Sequence, residues 1–169
     1  MGAVLETPRL VLRELTAEDF GALYDTLADS DVRRHDPYTF DERRVRGWIS
    51  KNIERCRDFG FGLWVVVLKA TGGMIGDCGI TMQCINGRIK PEIGHHLQRD
   101  WQGRGYAWEA ARGCRDWAFE HEGRQRALDR RGALMRHAAE KYTDDENERG
   151  VVCAVTRSEW AAEKGCVKR

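Results

Sequence analysis

The sequence predicts an α/β (α+β) fold in which a mixed, mostly antiparallel sheet is flanked by helices on both faces. The strongest observation comes from residues 91–111. There the two-residue apolar period of a strand gives way, across a glycine-rich turn, to the 3.6-residue period of a helix. Before it, the apolar segments 61–68 and 74–82 are separated by a short turn, which favours antiparallel neighbours. Two earlier stretches, beginning near Thr16 and Asp41, have the periodicity of amphipathic helices.

Length and composition indicate one domain, 1–169, with a hydrophobic core. The chain is 41% hydrophobic and 33% charged with a net charge of +1, a balance that argues against a nucleic-acid partner. It contains no apolar run of membrane-spanning length and no signal-peptide core, so we expect no membrane partner and a cytoplasmic location. The six cysteines lack C-x-x-C and zinc spacing, which predicts reduced thiols and no metal site: Cys56, Cys78, Cys84, Cys114, Cys153 and Cys166. Nothing in the sequence indicates an oligomeric state.

The first strand is predicted over residues 7–15, where Leu10 and Leu12 share one face. Thr16 is expected to cap the helix that follows, because Asp19, three residues on, completes the pattern of a capping box. The apolar stripe of this first helix consists of Phe20, Leu23, Tyr24 and Leu27.

Residues 29–40 are polar and irregular, and they predict a loop. After that loop, Asp41 is expected to cap a second helix. The apolar stripe of the second helix consists of Val45, Trp48, Ile49, Ile53 and Cys56. Both helices are expected to cover the sheet.

Three strands joined by hairpins are predicted next. Residues 61–68 are apolar at successive positions, which is typical of a central strand. The turn 69–73 leads to the strand 74–82, whose glycines indicate a bulge or a close backbone approach. A second turn, 84–90, precedes the strand 91–98.

The turn Gln102–Ala107 opens a helix that is predicted to run from Gly105 to about Glu120. Its apolar stripe consists of Ala107, Ala110, Ala111, Cys114, Trp117 and Ala118. Glycines let a ligand approach the backbone closely, and the first N–H groups of a helix point out of its N-terminus. The turn therefore predicts an anion cradle, although it lacks the sequence of a phosphate loop or of a dinucleotide site.

The residues Gln102, Gly105 and Ala107 fit the pattern Q/R-x-x-G-x-G/A, which resembles the pyrophosphate loop of the GNAT acyl-CoA-dependent N-acetyltransferases. The strings E-I-G-x-x-L, W-x-G-x-G-Y-A-x-E-A and T-x-R-L-x-L-R-x-L are similar to the branch that acetylates the N-terminal alanine or serine of ribosomal proteins. The string T-R-x-E-W over 156–160 resembles the closing segment of that branch.

This resemblance implies an N-acetyltransferase that moves an acetyl group from acetyl-CoA to a primary amine of a protein N-terminus or of a small molecule by direct attack. It implies no metal. Glu92 is the candidate base, acting through a water, although an ordinary strand-end carboxylate is an alternative for it. The implied cofactor-binding residues are Ile93, Gly94, His95, Gln102, Gly103, Arg104, Gly105, Tyr106 and Ala107. Because His95 and His96 alternate on a strand, we expect only one of them to face the acceptor.

The resemblance is lost over 122–141, where the family has an apolar strand and a helix. This segment carries six basic residues, Arg124, Arg126, Arg130, Arg131, Arg136 and Lys141. A deletion, a shifted reading frame and divergence all remain open as explanations. We expect the segment to be poorly ordered or to pack unlike its relatives, since a buried strand cannot hold charges at that density. The departure keeps a non-catalytic acyl-CoA-binding or regulatory domain as the alternative function.

Overall fold

The computed structural model describes residues 2–29, 32, 40–85, 88–121, 140–142, 150–152 and 161–162. They fall into two compact units. The first unit contains Met1–Thr81 and Ile93–Ala118, and the second contains Met82–Glu92 and Phe119–Arg169. The single domain expected from the sequence stays a prediction.

A five-stranded antiparallel sheet has the spatial order of the sequence, from β1 to β5. The strands are β1 (Ala3–Glu6), β2 (Leu10–Glu14), β3 (Leu63–Leu68), β4 (Met74–Ile85) and β5 (Arg88–Leu97). The predicted fold class, with its mostly antiparallel sheet, is confirmed. Both β4 and β5 extend further toward their connecting turn than predicted, and the tip of that turn, Asn86 and Gly87, lies outside the described residues.

The first predicted strand is confirmed as β2, but residues 7–9 form a turn before it and β1 was not predicted. In this turn the Thr7 N–H donates to the Leu10 carbonyl over 2.9 Å. Strand β1 pairs antiparallel with β2. Its two central residues, Val4 and Leu5, are apolar neighbours rather than alternating positions, and both are only half-buried. The sequence therefore carries no period-two signal for β1.

Helix α1 (Phe20–Leu27) follows one 3₁₀ turn, Ala17–Asp19. The predicted capping box is present, and the Thr16 N–H donates to Asp19 Oδ2 over 2.8 Å. The guanidinium of Arg13 holds both oxygens of the same carboxylate, at 2.9 and 2.7 Å. This ion pair ties the start of α1 to β2.

Helix α2 (Glu42–Phe59) begins at the predicted cap, since Asp41 Oδ1 accepts from the Arg44 N–H over 2.8 Å. The prediction of its apolar stripe was wrong for one residue, Ile53, which is 39% exposed. The neighbouring Asn52 is buried instead. Its amide donates to the Trp48 carbonyl and accepts from the Leu63 N–H. One hydrogen bond within α2 and one tertiary hydrogen bond thus satisfy a buried polar side chain that periodicity assigns to solvent.

Helices cover both faces of the first unit's sheet, as predicted. Trp64 and Val65 are consecutive in β3, so their side chains lie on opposite faces. Val65 joins a core cluster with α1 and α2 that also contains Leu15, Leu23, Leu27, Val45 and Ile49. Trp64 packs edge-on against Trp117 of α3 (Tyr106–Glu120), with ring centroids 5.0 Å apart.

The side chains of β4 alternate between the two faces of the sheet in the same way as those of β3. Asp77 lies opposite Val65 and accepts a hydrogen bond from Trp48 of α2. Cys78 lies opposite Trp64, and its Sγ is 3.6 Å from the Sγ of Cys114 in α3. The alternating pattern of β4 therefore directs one polar group toward α2 and one thiol toward α3.

The glycines of β4 allow the close approach and the bulge that the sequence predicted. A Cβ on Gly79 would lie 2.0 Å from the Gly62 carbonyl oxygen. A Cβ on Gly76 would lie 2.0 Å from the His96 carbonyl oxygen of β5. Beside Gly76 the register with β3 shifts, so that Ile75 is an extra residue in β4. This is the geometry of a β-bulge.

The second unit contains a two-stranded antiparallel sheet, β6 (Glu140–Tyr142) and β7 (Gly150–Val152). Glu140 and Lys141, at the end of the atypical segment 122–141, thus belong to a strand. The rest of the basic segment, 122–139, lies outside the described residues, so its expected disorder stays a prediction. Among the described residues, no helix is long and apolar enough to span a membrane.

Cys56, Cys78 and Cys114 are buried free thiols, and the reduced state expected of all six cysteines stays a prediction. Burial raises the pKa of Cys56 to about 11. The hydrogen bond with Cys114, together with burial, raises the pKa of Cys78. Because the thiolate is the reactive form, Cys56 and Cys78 are poor nucleophiles at neutral pH. The side chains of Cys84, Cys153 and Cys166 lie outside the described part of the chain.

Candidate functional site

A cleft of about 580 Å³ lies in the first unit, where β5 ends and α3 begins. It is lined by Val32, His95, His96, Leu97, Trp101, Gln102, Gly103, Gly105, Tyr106, Ala107 and Trp108. Most of these residues come from the strand–turn–helix segment that the sequence singled out. The local chain path therefore builds most of the cleft without help from distant segments.

The turn between β5 and α3 uses two glycines in the left-handed region. Gly103 has φ 72° and Gly105 has φ 79°, conformations that other residues rarely adopt. The Glu109 N–H donates to the Gly105 carbonyl over 3.1 Å, which makes Gly105 the cap of α3. The N–H groups of the next residues, Tyr106 to Trp108, have no acceptor within the helix and lie at the positive end of its dipole. This is the arrangement of a helix-start anion site.

Arg9 and Glu109 fix the start of α3 against the turn before β2. The Glu109 carboxylate accepts from the Thr7 hydroxyl at 2.6 Å, from the Arg9 N–H at 2.9 Å and from Arg9 Nε at 2.5 Å. Arg9 also donates from Nη1 to the Arg104 carbonyl over 3.1 Å. Its guanidinium stacks on the ring of Tyr106, 4.4 Å from the centroid. One arginine thus holds both the glycine turn and the first turn of the helix.

The charge of Glu109 is stabilised by these contacts. Partial burial acts to raise the pKa of Glu109, but the hydrogen bonds from Thr7 and from Arg9 outweigh it and lower the pKa. The carboxylate is therefore ionised at neutral pH and compensates the charge of Arg9. The Arg104 guanidinium, which lies over the Trp101 ring, adds a second positive group beside the turn.

Both histidines of β5 line the cleft, although only one was expected to face the acceptor. Their side chains alternate on the strand, yet both contribute to the lining of the cleft. Loss of solvent and the neighbouring His96 lower the pKa of His95, while Asp77 acts in the opposite sense. His95 is therefore neutral at neutral pH. His96 contacts Asp77, with Nδ1 and Oδ1 2.8 Å apart.

The sequence-predicted site residues are placed as follows. The cleft lining includes His95, Gln102, Gly103, Gly105, Tyr106 and Ala107. Ile93, Gly94 and Arg104 belong to the same unit but are not lining residues. Glu92 is exposed on β5 and directly precedes Ile93. Among the described residues, no group of three or more His, Cys, Asp and Glu side chains has the arrangement of a metal site.

Sequence reasoning missed the partners that support the site. Arg9 and Glu109 are 100 positions apart, and Asp77 and His96 are 19 apart, so no local pattern joins them. One signal was available, since Asp77 is a charged residue in a strand that otherwise carries no charge. A charged residue in such a strand indicates a buried partner. Trp108, which is 67% exposed and lines the cleft, carried no such signal.

The sequence matches a model of the acetyltransferase (GNAT) domain over residues 9–151. This match covers more than half of the chain, so the chain belongs to the GNAT family of acetyltransferases. The resemblance seen in the sequence is thereby confirmed, and the chain is an acetyl-CoA-dependent acetyltransferase of that family.

Individual relatives agree with this assignment. The chain is 37% identical over 116 residues to the protein YkkB of Bacillus subtilis, a match that covers 68% of this chain and 67% of YkkB. It is 34% identical to an acetyltransferase from Agrobacterium tumefaciens with a known crystal structure. That match covers 73% of this chain and 70% of the Agrobacterium chain, with a TM-score of 0.61. RimL, a ribosomal alpha-N-protein acetyltransferase solved in complex with coenzyme A, is 17% identical. The match to RimL covers 74% of this chain and 71% of the RimL chain with a TM-score of 0.56, which shows a shared fold.

Proposed function

We propose that the chain binds acetyl-CoA in the cleft and transfers the acetyl group to a primary amine of a protein N-terminus or of a small molecule. The observation that carries this proposal is the cleft itself, which ends on the glycine turn and on the start of α3. The pyrophosphate would be bound by backbone N–H groups of residues 104–107, at the positive end of the helix dipole. Arg104 adds positive charge beside that position, and Arg9 holds the Arg104 carbonyl in place.

The other candidate site residues lie in the glycine turn and on β5, and we assign them separate roles. Gln102 donates from Nε2 to the Leu97 carbonyl over 2.9 Å and so holds the turn against the end of β5. The backbone of Ile93, Gly94 and His95 would hydrogen-bond the pantetheine arm and polarise the thioester carbonyl. Glu92 would take a proton from the incoming ammonium through a water, which leaves the free amine to attack. Proximity supplies most of the remaining acceleration.

Calorimetry with coenzyme A tests the location of the phosphate site. In Gly105→Val, a β-branched side chain would stand at the helix start in a backbone conformation that it rarely adopts. We expect this variant to lose at least about tenfold in affinity, which corresponds to about 1.4 kcal/mol.

The matched control is Gly60→Val. Gly60 has the same φ of 79° at the end of α2, so this variant carries the same backbone strain away from the cleft. It should bind coenzyme A as the wild type does. Equal affinities for wild type and Gly105→Val would contradict the site.

A thiol-release assay with a panel of small amines and N-terminal peptides tests the transfer itself. Release of coenzyme A that depends on one class of acceptor would identify that class. Binding of acetyl-CoA without acceptor-dependent release across the panel would favour the alternative, a non-catalytic acyl-CoA-binding or regulatory domain. The cytoplasmic location expected from the sequence stays a prediction.

A further inference from the structure

His96 connects the cleft to a buried carboxylate. It lines the cleft, and its side chain is 18% exposed, whereas that of Asp77 is fully buried. Asp77 Oδ1 accepts from the His96 backbone N–H over 3.0 Å and lies 2.8 Å from His96 Nδ1. Two atoms of one histidine are thus held by one carboxylate oxygen.

These contacts define the tautomer of His96. Both oxygens of Asp77 accept hydrogen bonds, Oδ1 from the His96 backbone N–H and Oδ2 from Trp48 Nε1 over 3.2 Å. A carboxylate accepts hydrogen bonds, so Nδ1 carries the proton when the ring is neutral. The basic nitrogen of His96 is therefore Nε2. The same logic orients the histidine of a serine-protease triad, where a buried aspartate fixes the imidazole without taking its proton.

The surrounding fold keeps the pair in place. The Trp48 indole stacks edge-on against His96, with centroids 5.7 Å apart. The bulge at Ile75 and the missing side chain of Gly76 allow the His96 carbonyl to approach β4 closely. Bulges of this kind redirect side chains and are common beside active sites. Three elements, α2, β4 and β5, therefore determine where the imidazole lies.

We propose that His96, oriented by Asp77, carries the proton that must pass from the reacting amine nitrogen to the sulfur of coenzyme A. This rests on the proposed function. As the amine nitrogen bonds to the thioester carbon and the C–S bond breaks, Nε2 accepts the second proton of the nitrogen. The imidazolium then returns it to the thiolate. One proton leaves nitrogen and one arrives at sulfur, so the products are the amide and the free thiol.

Glu92 and His96 have separate tasks in this scheme. Glu92 removes the first proton, which makes the ammonium a nucleophile, and that proton goes to solvent. His96 moves the second proton within the cleft. Asp77 on β4 contacts His96, His95 beside it on β5 interacts with it electrostatically, and Trp48, which packs against it from α2, is uncharged. Asp77 is a positioning residue that stabilises the imidazolium.

Nitrogen-15 NMR of histidine-labelled protein tests the proposal without an acceptor. His96 should be the Nδ1–H tautomer when neutral, and its titration midpoint should differ between complexes with coenzyme A and with desulfo-coenzyme A. Only the first ligand has the thiol that Nε2 would contact. Identical titrations in the two complexes, or the opposite tautomer, would overturn the proposal. Failure of calorimetry to detect coenzyme A would instead overturn the proposed function, and this inference with it.

Kinetics provide the second test. His96→Gln should lower kcat about 100-fold, remove one limb of the pH–rate profile and leave KM for acetyl-CoA nearly unchanged. Asp77→Asn should shift that limb and lower kcat less. His121→Gln, which removes a histidine just after α3, is the matched control and should behave as the wild type. A folded His96→Gln variant with the wild-type pH profile would show that the pair is only structural.

Discussion

At the scale of single residues, the charged pair of Arg9 and Glu109 holds the backbone of the candidate site in place. The Arg9 guanidinium contacts a carboxylate, a carbonyl and an aromatic ring that belong to the glycine turn and to α3. Glu109 accepts three hydrogen bonds from the segment before β2. A pair of this kind stabilises the fold and also orients the backbone N–H groups at the start of the helix.

Glu109→Gln tests this pair. We expect it to lower the free energy of unfolding at pH 7 by about 1–2 kcal/mol, since charged hydrogen bonds are lost while exposure of Arg9 limits the effect. The pKa of Glu109 is lowered in the folded protein, so its contribution is present above the unfolded pKa of about 4.3. It is lost as pH falls through the lower folded value. Urea denaturation between pH 7 and pH 3 measures the difference.

Glu42→Gln is the control for that measurement. Glu42 is 69% exposed and lies 3.8 Å from Arg46, so its removal should leave stability unchanged within error. Equal losses for the two variants would contradict a special role for Glu109, as would a loss at Glu109 that persists unchanged at pH 3.

At the scale of elements, glycines in β4 let the backbone pack closely around the site. Gly79 lies against the chain between α2 and β3, and Gly76 lies against the end of β5. Because β4 carries Asp77 between them, its position determines where the buried carboxylate meets His96. The close approach of these strands is therefore a condition for the geometry of the cleft.

Gly79→Ala tests that condition. The added Cβ would lie 2.0 Å from the Gly62 carbonyl oxygen and 2.8 Å from Leu63 Cα, both of them backbone atoms. We expect a loss of at least about 3 kcal/mol in the free energy of unfolding. Gly73→Ala is the control, because its nearest contact is the Thr71 hydroxyl at 3.4 Å. Chemical denaturation that gives both variants wild-type stability would refute the close approach.

At the scale of the whole molecule, local sequence patterns predicted the helices and most strands. The buried polar residues and the partners that support the site depend on tertiary contacts, which local patterns do not reveal. The capping residues Thr16 and Asp41 and the helix from Gly105 act within a few positions of the chain, so their roles could be predicted. Burial of Asn52 depends on the Leu63 N–H, 11 residues away, and no periodicity reveals it. The candidate site divides in the same way. Its glycine turn was predicted, whereas its supporting carboxylates were not.

The measurement that tests the central proposal most directly is a crystal structure with coenzyme A bound. The pyrophosphate oxygens should lie about 2.7–3.2 Å from backbone nitrogens within residues 104–107. The pantetheine arm should follow β5 toward Glu92, with the sulfur within reach of His96. A pyrophosphate bound at any other part of the chain, with the turn at Gly103 and Gly105 free of ligand, would contradict the account.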